Sequence, residues 1–307
     1  MDVNKRSNFQ TPMEPWPGME KYARSLQIQA LDLEMFFFEK GKENKIDLLM
    51  IHGLGDEADT WRHVFRNLSN DNHVLAVDLP GFGRSSKPKR KYSPRFMMDA
   101  LICFMDVLQI ESTILMGNSL GGILSHAIAT FEPSRVNGLI LVDGSLLQNK
   151  PMGNLGIRLM GVPLLGEWLY TRLRKDPQAA FNSLRNIYHN LDGLPEVDRE
   201  FLFHRVNQRV WSNGQRRAYF STLRNMMPWV KYMQGELPGR LNNLAIPTLI
   251  IRGEHDQLFS EEDASGVAAV QPNASLKIIE NVGHLPHQEA PTIFLQVVNE
   301  WLAKTFN

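Results

Sequence analysis

A serine held between small residues is the first candidate for chemistry in this chain. Gly117-Asn118-Ser119-Leu120-Gly121 fits the pattern G-x-S-x-G. It follows the apolar run Ile114-Leu115-Met116 and precedes a helical stretch reaching about residue 131. A sharp strand-to-helix turn lifts the serine hydroxyl to the end of a sheet, and glycines beside it keep bulk out of the turn. The Leu120 backbone N–H then stands at a helix N-terminus, where a developing oxyanion is stabilised. A hydroxyl is a weak nucleophile: it needs a base, and the base needs an orienting acid. Asp256 in Gly253-Glu254-His255-Asp256 follows the strand-like run 247–252, and His284 in Val282-Gly283-His284 follows the run 276–279. They lie 28 residues apart, which leaves room for one helix and one strand. Ser119, Asp256 and His284, in that order and each after a strand, suit acyl transfer through a covalent intermediate.

A second oxyanion donor is expected from His52-Gly53-Leu54-Gly55, directly after the apolar run 46–51, and is assigned to the Leu54 N–H. His52 is read as shaping that loop. Glu254, His255 and His287 are rivals for the acid and base, and Asp143 is a rival acid because it also ends a strand. Asp256 could also serve only as a turn residue or helix cap, and His284 only as a hydrogen-bonded loop residue. No metal-ligand cluster stands out, and neither metal nor cofactor is expected.

These residues need a sheet that brings strand ends together. Two early strands are predicted at 26–30 and 33–38. Apolar runs then alternate with helical stretches: strands at 46–51, 74–77, 114–116 and 139–142, and helices at about 58–69, 94–109 and to 131. Almost wholly apolar runs suit parallel strands buried on both faces. The alternation breaks at about 147 and resumes at Pro247, then ends in a strand at 276–279 and a helix at 291–304. The expected class is α/β, a mostly parallel doubly wound sheet interrupted by a helical insertion. Residues 1–25, polar and holding Pro12, Pro15 and Pro17, read as an arm. Residues 26–146 and 246–307 read as the core, and 147–245 as the insertion.

Composition narrows the class further. The 307 residues carry 33 Lys/Arg and 33 Asp/Glu, and the absence of a basic excess argues against a nucleic-acid binder. The charge is uneven, however. Residues 151–245 hold 13 Lys/Arg and 7 Asp/Glu, a net of +6. That excess reads either as solvated helix faces or as attraction for anionic substrates or membrane surfaces. Cys103 stands alone in an apolar stretch, so no intramolecular disulfide, Cys-based zinc finger or iron–sulfur site is possible. No secretory leader and no apolar run of membrane-spanning length are seen, so a cytoplasmic location without a transmembrane segment is expected. Nothing in the pattern speaks to oligomeric state.

Taken together, the chain resembles the α/β-hydrolase superfamily over about 26–305. The resemblance rests on His52-Gly53-Leu54-Gly55, Asp78-Leu79-Pro80-Gly81-Phe82-Gly83-Arg84-Ser85-Ser86, the Ser119 elbow, Gly253-Glu254-His255-Asp256 and Gly283-His284. It implies a structural turn at 78–86 and a helical cap at 147–245. Haloalkane dehalogenases and epoxide hydrolases share such motifs but use an aspartate nucleophile. Ser119 attacking an alkyl carbon would give an ether that water does not readily cleave. A small-molecule acyl substrate, typically a carboxylic ester, is therefore expected. Lactones, thioesters, acyl transfer and perhydrolysis share the same acyl-enzyme step. The rival is a meta-cleavage C–C hydrolase acting on a vinylogous diketo acid, with cap arginines such as Arg185 or Arg205 binding its carboxylate. That group usually has Trp after the histidine and Gly-x-Gly-Pro-Gly in the oxyanion loop; here Leu285 and Gly53-Leu54-Gly55-Asp56-Glu57 stand instead. A non-catalytic binding protein on a hydrolase scaffold is the alternative of another class. Cap aromatics, among them Trp168, Tyr170, Tyr219 and Trp229, with Met226 and Met227, are candidates for an apolar substrate pocket.

Overall fold

The structure is a computed structural model in which residues 9–148, 159–236, 238–242 and 244–306 are described. Eight strands form one sheet: β1 (Ala23–Ile28), β2 (Leu33–Lys40), β3 (Asp47–Ile51), β4 (His73–Val77), β5 (Thr113–Asn118), β6 (Val136–Val142), β7 (Thr248–Gly253) and β8 (Ala274–Ile279). The spatial order is β1-β2-β4-β3-β5-β6-β7-β8. β2 runs antiparallel to β1 and β4, and every other pairing is parallel. The parallel strands therefore deliver their carboxyl ends to one edge, where ligands bind in such sheets.

The apolar strands are explained by two buried faces. Leu49 and Ile51 of β3, Leu115 of β5, Leu139 and Leu141 of β6 and Ile250 of β7 face one core. Helices α2 (Pro94–Val107) and α3 (Leu120–Phe131) cover it with Met97, Leu101, Phe104, Ile123 and Leu124. Leu48, Met50, Ile114, Met116, Ile140, Val142, Leu249 and Ile251 face the other core. There Trp61, Phe65 and Leu68 pack with Phe294, Val298 and Leu302 of the last helix. Fully burying one such aliphatic side chain contributes about 1.5–3 kcal/mol.

Local signals set the helix boundaries. Pro94 opens α2, and Ser93 Oγ accepts from the Phe96 N–H. The predicted helix at 58–69 is instead a 3₁₀ turn at Ala58–Trp61 followed by the single turn α1 (Phe65–Leu68). Polar groups of this stretch are drawn into tertiary bonds: Asp59 Oδ1 accepts from the Trp16 N–H at 2.6 Å, and the Ala58 backbone N–H donates to Asp78 Oδ1 at 2.6 Å. β1 also starts three residues earlier than the alternation suggested. Residues preceding it lie against the rest of the chain: Trp16 packs edge-on to Phe201, and Phe9 to Phe203.

Between β6 and β7 lie α4 (Leu165–Arg172), α5 (Pro177–Asn182), α6 (Glu196–Trp211), α7 (Asn213–Glu236) and α8 (Pro238–Asn242). They hold a small core of their own around Phe181, Leu184, Leu202, Val206 and Val210. The stretch 149–158, where the insertion leaves β6, is outside the described residues. After β7 come α9 (Glu261–Val270), α10 (Pro286–Glu289) and α11 (Pro291–Phe306). Ser260 and Asp263 form a reciprocal capping box on α9.

Candidate active site

Ser119 stands between β5 and α3 with φ 55° and ψ −115°. That left-handed backbone is unfavourable for any residue with a Cβ, and such strain concentrates at functional sites. It persists because the turn is pinned on all sides. The Ser119 N–H donates to Val142 O at 2.9 Å, and Ser119 O accepts from the Ile123 N–H at 3.0 Å. The flanking glycines are required by close approach. A Cβ at Gly117 would lie 2.1 Å from Gly121 O, and one at Gly121 would lie 2.1 Å from Ile51 O.

Three loops converge on this turn. Gly53 comes so near that a Cβ there would stand 3.2 Å from Ser119 Cβ. Leu120 is the first residue of α3. His52 uses both ring nitrogens nearby: Nε2 accepts from the Leu79 N–H at 2.9 Å, which leaves Nδ1 to donate to Gly53 O at 2.7 Å. Its contacts thus hold the loop to the turn after β4. In that turn, Arg84 donates to the buried Asp78 carboxylate.

His284 and Asp256 also meet. His284 Nδ1 lies 2.9 Å from Asp256 Oδ2, both side chains buried. The aspartate also accepts from the Leu258 N–H at 2.8 Å and the Phe259 N–H at 3.2 Å. Burial would raise its carboxyl, but the His284 ring, then the Asp143 side chain and the Leu258 N–H, hold it below the usual range. With Nδ1 turned to the carboxylate, Nε2 carries the lone pair. It is buried, and no hydrogen-bond partner lies within reach among the described residues. Asn118 Nδ2 donates to His284 O at 3.1 Å, tying the serine turn to the histidine loop.

The rival residues separate. Glu254 accepts from the Asn281 N–H, and His255 stacks on His189 at 3.9 Å between ring centroids. His287 is buried against Trp61, with Nε2 2.9 Å from Thr60 Oγ1. Asp143, by contrast, belongs to the same cluster. Ligand-capable atoms of Asp143, Asp256 and His284 lie within 4.8 Å of one another, the only such trio among the described residues. Asp143 accepts from the Gly253 N–H at 3.0 Å, and burial beside the Asp256 charge raises its carboxyl far above its ordinary value. Two neighbouring buried carboxyls resist ionising together, and of this pair Asp143 is the one pushed toward its neutral form. Strand-end position marked Asp143 in the sequence, but adjacency to Asp256 depends on β6 and β7 being neighbours.

The insertion clamps the loop after β3, which sequence reasoning missed. Arg209 of α6 pairs with Asp56 and with both oxygens of Glu57, the residues right after Gly55. Gln215 Nε2 donates to Gly55 O at 3.2 Å, and the Tyr219 ring comes within 3.1 Å of where a Gly55 Cβ would stand. On the other side, His284 N–H donates to Ile187 O at 2.8 Å, and Glu289 accepts from the Gly283 and His189 N–H groups. Three residues singled out in the insertion are placed as follows. Arg205 is buried against Glu57 and Asp59, and Arg185 pairs with Asp192 at the surface, so both are committed to carboxylates of the chain. Trp168 is 53% exposed rather than turned inward.

The sequence of the chain matches a known family. The sequence pattern of the family described as alpha/beta hydrolase fold matches residues 48–291. The chain belongs to this family. Lipase 1 of Psychrobacter immobilis is 28% identical over 88% of this chain and 82% of its own length. The 2-hydroxymuconate semialdehyde hydrolase of a Pseudomonas strain is 27% identical over 84% of this chain and 87% of its own. Among solved structures, a putative lipase of Acinetobacter baumannii superposes with a TM-score of 0.78 at 24% identity, covering 99% of this chain and 95% of that one. No helix among the described residues is long and apolar enough to cross a membrane.

Proposed function

We propose that this member of the alpha/beta hydrolase fold family is a serine hydrolase that cleaves a carboxylic ester through an acyl-enzyme. Ser119 attacks the carbonyl, His284 takes its proton through Nε2, and Asp256 holds the ring tautomer and stabilises the imidazolium. The N–H groups of Leu54 and Leu120 receive the oxyanion. The imidazolium then protonates the leaving alcohol, and water, activated by the same nitrogen, hydrolyses the ester on Ser119. The mechanism needs neither metal nor cofactor. The observation that carries this reading is the strained Ser119 turn standing beside the Gly53 loop, with the His284–Asp256 pair tied to it through Asn118.

Residues 147–245 act as the cap that roofs the site and selects the substrate. Tyr219, stacked on Tyr170 and resting on Gly55, is its innermost aromatic contact with the oxyanion loop. An apolar roof excludes water and buries substrate carbon. A second reading, C–C cleavage of a diketo acid, is favoured by the likeness to the semialdehyde hydrolase. It asks for a free cation at the substrate carboxylate, and Arg185 and Arg205 are already paired within the chain. The deciding experiment is kcat/KM over neutral esters from acetate to octanoate beside a vinylogous diketo acid. Ester cleavage should rise with acyl length until the pocket fills, since each buried methylene contributes about 0.8 kcal/mol. Negligible turnover of every ester with rapid cleavage of the diketo acid would reverse the assignment.

A further inference from the structure

The insertion presents an apolar tip to solvent. Of the large apolar side chains exposed among the described residues, Leu159, Val162, Leu164, Leu165 and Trp168 fall within ten consecutive positions. Successive backbone bonds, Gly166 N–H to Val162 O and Trp168 N–H to Leu164 O, wind them into one continuous turn entering α4. The helix has two unlike faces. Gly166 and Tyr170 point to α7, where a Cβ at Gly166 would stand 3.0 Å from the Phe220 ring. Leu165, Trp168 and Arg172, at spacings of three and four, share the face turned to solvent.

Leu164 is the extreme case. It is 84% exposed and sits at φ 66°, a conformation that leucine rarely adopts. Neither burial nor backbone preference favours a leucine there, so the residue is explained by something outside the fold. The surroundings indicate its nature. The Arg172 guanidinium lies 4.3 Å from the Trp168 ring centroid, and Arg172 and Lys175 are exposed beside the tip. Glu167, the acid of α4, is bound by Arg224 through both oxygens.

We propose that this face docks on an anionic phospholipid surface. Leu164, Leu165 and Trp168 enter the boundary between headgroups and acyl chains, and Arg172 and Lys175 meet the phosphates. Apolar side chains with tryptophan beside basic residues are the composition of helices that lie in a membrane interface. Docking would bring the cap to a lipid surface without any spanning segment.

The test is co-sedimentation of the full chain with phosphatidylcholine vesicles, alone or mixed with phosphatidylglycerol. The wild type should partition onto the mixed vesicles, less so at high salt, and little onto phosphatidylcholine alone. Leu164→Gln with Trp168→Gln should weaken partition about tenfold or more, and Arg172→Glu should weaken binding to the anionic vesicles alone. Because these side chains are exposed, melting temperature in buffer should not change, which separates lost docking from misfolding. Partition requires no turnover, so the result is independent of the ester-hydrolase reading. Absence of wild-type binding to mixed vesicles, or equal binding by the double variant, would overturn the proposal. So would a dimer in buffer that the double variant abolishes, which would assign the face to a second copy of this chain.

Discussion

The proposal gives the orienting role to Asp256, and its neighbour Asp143 offers a sharp way to test it. Asp143 stays protonated because burial and the Asp256 charge oppose its ionisation. Asparagine imitates that form: its oxygen can still accept from the Gly253 N–H, and its amide can donate toward Asp256. Below the ordinary value of 3.8 the folded and unfolded Asp143 are both protonated, and the residue contributes its full stability. As pH rises, the unfolded chain ionises while the folded residue does not, and that stability is lost. Asp143→Asn should therefore melt higher than wild type at pH 7–8, with the gap closing toward pH 4, and keep most of its kcat. Asp256→Asn should lower kcat by orders of magnitude, on the order of 10⁴ where the tautomer is lost. The opposite ranking in kcat would move the orienting acid to Asp143. The placement of Ser119, Asp256 and His284 after strand ends was legible in the sequence because each follows an apolar run. The closeness of Asp143 to Asp256 was not, since it depends on which strands are neighbours.

Strands were the readable elements, because burial on both faces leaves an unbroken apolar run that no helix of that length would show. The element at 58–69 was misread for the complementary reason. Its apolar spacing is helical, yet Ala58 and Asp59 give their polar groups to Asp78 and Trp16 rather than to a helical ladder. The coupling of the helical insertion to the loop after β3 was equally hidden, because Arg209 and Glu57 are 152 residues apart in sequence. It has a measurable consequence. Arg209→Met would leave Asp56 without its cation and Glu57 with Arg205 alone. Breaking such a pair costs on the order of 3 kcal/mol. The freed loop should also let the Leu54 N–H drift. The expected outcome is a lower melting temperature together with a kcat loss larger than any rise in KM, measured by calorimetry and steady-state kinetics. An unchanged kcat would show that the loop holds its shape without the clamp.

At the scale of the whole molecule, two buried histidines set how the fold answers acid. Burial pushes His126 down to about 4 and His287 down to about 3, against an ordinary value of 6.5. Both stay neutral in the fold, held by Ser145 and Gln271 and by Thr60 respectively. Between pH 6.5 and 4 the unfolded chain takes up protons that the folded chain refuses, so stability should fall steadily through that window. Thermal melts at graded pH should show it, and His126→Gln should flatten part of the slope; a slope unchanged by that variant would place the acid sensitivity elsewhere.

The central claim is that Ser119 becomes acylated, and one measurement addresses it directly. The protein is treated with a fluorophosphonate, its intact mass is taken, and the modified peptide is mapped. A single stoichiometric adduct on Ser119 is expected. Ser119→Ala should take up none and lose ester turnover by a factor on the order of 10⁴–10⁶. An adduct on another residue, or undiminished turnover by Ser119→Ala, would contradict the account.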